Sequence, residues 1–324
     1  MESTRAWGVG LATITESGKI LDTWFPRLHE GDLDDAKIKE CETKLRKLEL
    51  KDEARNVHTE VMTVQTDIEG DVASAPDGYL RLQLISKRMC QPHTVNLEGL
   101  FDKLSLVAWT NHGPCDYEDF EQTRMRLMGK FGMGVNVRSI DRIPRMTDYV
   151  TPSDVRIANT ETVRLGAYLA EGTEVGYAGF VNYNSGAIGK DCRIEGRISQ
   201  GVTIDEGTAL AGGASTAGTL AIGAHQRVSL GKNCRMGANS GLAIPLGDNC
   251  VVEAGLYLNG DTKVYYMPSG GVMPGDTGFF VEPRTMVAED LAGVANASFR
   301  RNSQSGRVEA VARPGAEIEF VFSD

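Results

Sequence analysis

The chain has 324 residues, 44 of them acidic and 34 basic, for a formal net charge of −10. That length supports a large buried core and one to three domains, while the acidic balance argues against a general nucleic-acid binder, which needs a basic face. No stretch reaches the ~20 apolar residues of a membrane span. Met1 to Gly8 lacks a basic segment leading into an apolar one, so no secretory signal is expected and a cytoplasmic protein is.

Residues 1–150 predict a mixed α/β domain with a connecting helix and strand. Val9 and Leu11 begin an apolar stretch that resumes at Ile20 to Phe25, beyond the Ser17-Gly18 turn, as in a hairpin. Residues 34–54 contain no Gly or Pro and predict a charged helix. Val57, Thr59, Val61 and Thr63 alternate as a strand does. Pro76-Asp77-Gly78 leads into an amphipathic helix over Tyr79 to Met89. A second helix is predicted from Tyr117 to Phe131, with Phe120, Leu127, Met128 and Phe131 on one face and Gly132 as a left-handed stop. Val135, Val137 and Ile140 predict a connecting strand.

Residues 151–266 follow a different rule. Ile157, Val163, Leu169, Val175 and Val181 stand six apart; the phase slips by one to Ile188 and Ile194. It slips again to Ile198, Ile204, Leu210, Thr216, Ile222 and Val228, then to Leu230, Met236 and Leu242, and finally to Leu246, Val252, Leu258 and Val264. A period of six fits neither a helix nor a simple strand alternation. It fits a hexapeptide repeat, in which each short strand sends one side chain inward and then turns a corner. Three hexads close a triangular coil, so about 110 residues predict a parallel β-helix of roughly six coils. The 37 glycines, about 11% of the chain against ~7% in average proteins, crowd between 165 and 280, where the corners require them.

Residues 267–324 predict a C-terminal loop and β-hairpin extension. Pro268-Ser269-Gly270-Gly271 and Pro274-Gly275 mark the loop; Val308, Val311, Ile318, Phe320 and Phe322 mark the hairpin. The six cysteines (Cys41, Cys90, Cys115, Cys192, Cys234, Cys250) form no CxxC pair and are expected as reduced, mostly buried thiols.

Inward side chains fill such a prism, so ligands must bind on its faces or in grooves between subunits. The densest chemistry is Arg193-Ile194-Glu195-Gly196-Arg197-Ile198-Ser199: a carboxylate between two guanidiniums, suited to a base or nucleophile beside an anionic substrate. The same residues also suit a solvated face of structural ion pairs. Gly212 to Thr216 and Gly237 to Gly241 are small-residue stretches open to close ligand approach, though every corner of such a fold wants Gly, Ala or Ser; Arg300-Arg301-Asn302-Ser303 is a basic cluster suited to a phosphate or carboxylate, or equally to a plain surface. The five histidines have no metal-ligand spacing, and His112 reads as a structural loop residue.

Trp109 to Cys115 (WTNHGPC), Pro144 to Val150 (PRMTDYV), Gly179 to Gly186 (GFVNYNSG), Glu195 to Ser199 (EGRIS), Gly237 to Leu242 (GANSGL), Cys250 to Tyr257 (CVVEAGLY) and Phe299 to Ser303 (FRRNS) together resemble the tetrahydrodipicolinate N-succinyltransferases, in the branch with a long N-terminal α/β domain. The resemblance implies a homotrimer of left-handed parallel β-helices with active sites between subunits. It implies transfer of succinyl from succinyl-CoA to the amino group of ring-opened tetrahydrodipicolinate, in the succinylase route to diaminopimelate and lysine. It makes Glu195 the catalytic carboxylate, either forming an acyl anhydride or acting as general base. It places Arg197 on a substrate carboxylate, Gly212, Ser215, Ala238, Glu253 and Ala254 at ligand contacts, and Arg300, Arg301, Asn302 and Ser303 toward the coenzyme. Magnesium on the trimer axis is a further family feature, for which Glu161 matches one acidic position and Ala178 fails another. The family's coenzyme-contacting lysine aligns with Val287, and the segment from Tyr265 to Arg284 is longer than the family pattern. A hexapeptide acyltransferase with another donor or amine, and a non-enzymatic solenoid scaffold, are the alternatives.

Overall fold

The computed structural model describes residues 3–218, 226–267 and 283–320. The chain divides into two compact units, 1–151 with 164–166, and 152–163 with 167–324. Ile222, the Pro268–Gly275 loop and Phe322 lie outside the described residues.

In the first unit the expected hairpin joins Arg5–Thr15 to Ile20–Trp24, and Val57–Asp67 lies antiparallel along the other side of Arg5–Thr15. The charged run forms a helix only over Asp35–Leu45, capped by the Asp34 carboxylate, which accepts from the Ala36 and Lys37 amides. Beyond a short 3-10 turn, Lys51–Asp52 pairs with Val57 and His58 instead, so strand pairing takes over the backbone that helix propensity alone assigned to the helix. The next helix is Ala75–Ser86, started by Ser74 and Pro76. It is buried at every residue from Pro76 to Ser86 and is therefore not amphipathic. Its polar members are satisfied internally: Arg81 Nε meets Asp77 at 2.9 Å, and Gln83 Nε2 donates to the Thr23 carbonyl at 2.8 Å. The third expected helix, Phe120–Phe131, ends on Gly132 at φ +65°. Its buried face is Phe120, Thr123 and Leu127; Met128 and Phe131 are turned away and exposed. A three-stranded sheet runs in the order Gly113–Asp116, Val107–Thr110, Val137–Asp141. His112 stacks on Phe131 with centroids 4.5 Å apart, a structural role.

The second unit is a three-sided parallel β-helix. One face stacks Arg156–Ile157, Glu174–Val175, Arg193–Ile194, Ala209–Leu210, Arg235–Met236 and Val251–Val252 in parallel register. A second stacks Phe180–Val181, Arg197–Ile198, Ser215–Thr216, Gly241–Leu242 and Tyr257–Leu258. The third stacks Ala167–Leu169, Ser185–Ala187, Thr203–Ile204 and Ser229–Leu230. Among the described residues the predicted inward positions are buried, except Ile157 in the first coil, which is half-buried, and Ile188. Ala187 points inward while Ile188 is half-buried, so the phase slips after residue 187, one position later than the aliphatic pattern implies. All six cysteines are free thiols, five of them buried, and burial pushes the Cys192 thiol up to about 12.

Residues 267–324 belong to this same unit. The expected hairpin partner is corrected: Val308–Ala312 pairs antiparallel with Ala297–Arg301 and parallel with Lys263–Met267, while Glu319–Phe320 pairs with Val294–Ala295. Ala297–Arg301 continues the first face by lying parallel to Val251–Val252, so the coil itself supplies a closer partner than the Ile318 region.

Candidate active site

The sequence-predicted residues converge on one edge of the prism, where the first face turns into the second. In three successive coils this corner is a four-residue turn closed by an i to i+3 hydrogen bond: Ala211–Ala214, Gly237–Ser240 and Glu253–Leu256. The third residue of each turn, Gly213, Asn239 or Gly255, has φ between +55° and +74°, the requirement of a type II turn. Gly212, Ala238 and Ala254 are the second residues of these turns and lie directly above one another. No described group accepts a hydrogen bond from their amides, leaving a row of donors without a described acceptor.

Glu195 sits on the same edge, but its coil turns differently. Strands Arg193–Ile194 and Arg197–Ile198 are separated by two residues, Glu195 and Gly196, where the next coil uses four. With two residues where its neighbours use four, this corner cannot reach out as far as the turns at 176–179 and 211–214 and so forms a recess between them. Gly196 makes this possible, since a Cβ there would press on the Ala211 and Ala214 carbonyls. The exposed Glu195 carboxylate lies across Gly176, whose missing Cβ is the space it occupies. In the coil on the other side of Glu195, Gly212 faces open space: a Cβ added there would meet nothing within 4 Å.

Arg197 points outward from the second face, with Phe180 and Ser215 as its register neighbours. Neither Arg193 nor Arg197 forms an ion pair with a described residue, and neither neutralises Glu195. Structural ion pairing therefore does not explain this cluster. At the far end of the edge, Glu253 Oε2 accepts from the Arg301 amide at 2.7 Å. Glu195 and Phe299 are separated by four coils, or ~19 Å at the usual strand spacing.

Within FRRNS the roles divide. Arg300 Nε pairs with the buried Glu309 at 3.0 Å but keeps half its side chain exposed. Asn302 donates to Glu309 at 2.8 Å and accepts from the Gln304 and Ser305 amides, so it builds the turn. Arg301 Nη1 donates to the Gly306 carbonyl at 2.9 Å, and Ser303 is exposed at the tip. Glu161 lies in a 3-10 turn, Thr160–Thr162. Among the described residues no group of three or more His, Cys, Asp or Glu is placed to hold a metal ion, and no chemical step is assigned to magnesium.

Residues 104–145 match the family model "Tetrahydrodipicolinate N-succinyltransferase middle", and residues 227–259 match "Hexapeptide repeat of succinyl-transferase". A 2,3,4,5-tetrahydropyridine-2,6-dicarboxylate N-succinyltransferase of Vibrio cholerae is 42% identical over 267 residues, spanning 82% of this chain and 74% of that protein. The chain belongs to the tetrahydrodipicolinate N-succinyltransferase family. The enzyme of the same name from Pseudomonas paraeruginosa is 46% identical over 239 residues, 73% of this chain and 66% of that one. A solved Campylobacter jejuni structure, described as a 2,3,4,5-tetrahydropyridine-2-carboxylate N-succinyltransferase, superposes with TM-score 0.79 at 25% identity, covering 95% of this chain and 92% of that one. The fold is thus the left-handed parallel β-helix with an N-terminal α/β domain.

Two residues of this family member escape motif reading. Gly176 matters only through what it makes room for, and its one sequence signal is the four-residue step from Ile194 to Ile198 in the next coil. Lys263 is the other. It stands directly across an antiparallel ladder from Val287, so the two side chains share a face.

Proposed function

We propose that the chain is a tetrahydrodipicolinate N-succinyltransferase whose reacting groups meet in the recess at Glu195. The observation that supports this reading is the shortened corner, whose exposed Glu195 carboxylate has no ion pair among the described residues and shares an edge with the unpartnered turn amides. Succinyl-CoA is the donor, and the working enzyme is a cytoplasmic homotrimer with the edge facing a groove between subunits. Among the described residues no helix is long and apolar enough to cross a membrane.

The acceptor's amine attacks the thioester carbonyl, forming the C–N bond. Glu195 removes the ammonium proton, the tetrahedral intermediate collapses with cleavage of the C–S bond, and the proton passes to the departing thiolate. Unpartnered amides such as that of Gly212, together with the Ser215 hydroxyl, are suited to hold the oxyanion. Arg197 supplies a fork for one acceptor carboxylate. An anhydride on Glu195 would instead release CoA before any acceptor is added. Incubating the enzyme with succinyl-CoA or acetyl-CoA, with and without tetrahydrodipicolinate, decides both points. Thiol release is expected only with the succinyl donor and acceptor together; preference for acetyl-CoA would favour a different acyltransferase.

Arg197→Ala should raise KM for the dicarboxylate about ten- to a hundredfold with little change in kcat, the mark of lost ground-state binding. A change confined to the coenzyme KM would reassign Arg197 to the donor. The coenzyme contact that Val287 cannot make falls to Lys263, an exposed ammonium one ladder position away. Lys263→Ala should therefore raise KM for succinyl-CoA several-fold and leave the acceptor KM unchanged, as steady-state titration of each substrate will show.

A further inference from the structure

The first unit contains a cavity of about 360 Å³ that the acyl-transfer reading does not use. Its walls include Trp24, Trp109 and Tyr149, with Asp22 in the lining and Arg138 and Asp148 also bordering it. This volume is in the range of small-molecule sites, and the combination of aromatic walls with a few charged groups is typical of them.

Asp22 is only 8% exposed. Its Oδ2 accepts from the Tyr149 hydroxyl at 2.6 Å, yet its Oδ1 is buried with no hydrogen-bond partner. Thr13 stands across the ladder from Asp22, near enough to draw on its carboxyl but not within good hydrogen-bond geometry of Oδ1. A buried carboxylate oxygen without a well-formed hydrogen bond is costly to keep, and the pull of nearby Thr13 offsets only part of that cost, since burial remains the larger influence on Asp22. Arg138 is the complementary feature. Asp148 is already held by Arg145 Nε at 2.8 Å, so the Arg138–Asp148 contact is loose, at 3.7 Å. The cavity therefore brings together an acceptor for an ammonium group, a guanidinium held only loosely by Asp148, and two indole rings.

We propose that this cavity binds a small amino-acid zwitterion, with its ammonium group on Asp22 and its carboxylate on Arg138. The stretch Trp109–Pro114, part of the first family motif, serves as its wall. Burial pushes the Asp22 carboxyl above the ordinary carboxylate range, against the opposing pull of Thr13, Tyr149 and Arg55; an arriving ammonium would restore the ionised form.

Two of the chain's three tryptophans line the cavity, while Trp7 is buried elsewhere against His29. Tryptophan emission of the full-length protein is therefore a direct readout. Titration with L-leucine and L-lysine should give a saturable change with at least one of them, and n-butylammonium and butyrate should bind at least tenfold more weakly. Asp22→Asn keeps an acceptor for Tyr149, and Arg138→Ala alters only a partly exposed side chain; each should weaken binding at least tenfold. The proposal is overturned by the absence of a saturable change with both amino acids, by equally tight binding of either singly charged control, or by unchanged binding in either folded variant. Should Asp22→Asn fail to fold, Arg138→Ala decides alone.

Discussion

Replacing Glu195 with Gln should lower kcat by about a hundred- to ten-thousandfold, the usual contribution of a positioned proton acceptor. The substitution preserves size and hydrogen-bonding reach but removes the basicity. The Glu195 side chain is exposed and forms no ion pair with a described residue, so its charge does not hold the coil together. Thermal stability and succinyl-CoA affinity should accordingly stay near wild type. The measurement is steady-state thiol release, alongside calorimetric titration of the coenzyme. Loss of folding or of coenzyme binding in step with turnover would make Glu195 a structural residue.

The second large effect is expected from a residue with no side chain. In Gly176→Ala the new Cβ would take the volume now held by the Glu195 carboxylate. Gly176 does not have a left-handed backbone, so alanine is conformationally acceptable there. The atoms displaced are the free end of a flexible side chain, which makes the change mild for the fold. It is severe for the chemistry, because a misplacement of about 1 Å at a reacting group can cost ~10²-fold in rate. Gly212→Ala is the control. Its Cβ would meet nothing, so kcat should hold, and any change should fall on KM. A Gly176→Ala enzyme with normal kcat would mean that the observed position of Glu195 is not the working one.

The β-helix was legible in the sequence because each inward position is a single buried side chain recurring every six residues. The aliphatic pattern misplaced one position, choosing Ile188 over Ala187, because a search for large aliphatic residues passes over a small side chain at an inward position. The same spacing held the key to the site. The step of four from Ile194 to Ile198 is the shortened corner that forms the recess, yet as a number it looks like a mere phase slip. The N-terminal helices were less legible. Ala75–Ser86 is buried all round because Arg81 and Gln83 find partners in distant strands, which periodicity cannot anticipate. Long-range pairing also hid Lys263, whose relation to Val287 exists only in the folded ladder.

The most direct test of a reacting centre at Glu195 is a crystal structure of the Glu195→Gln variant holding succinyl-CoA and a dicarboxylate acceptor analogue. The thioester carbonyl is expected in the recess, with the acceptor nitrogen within hydrogen-bond reach, ~3 Å, of the substituted side chain. A thioester bound on another edge of the prism, away from residue 195, would contradict it.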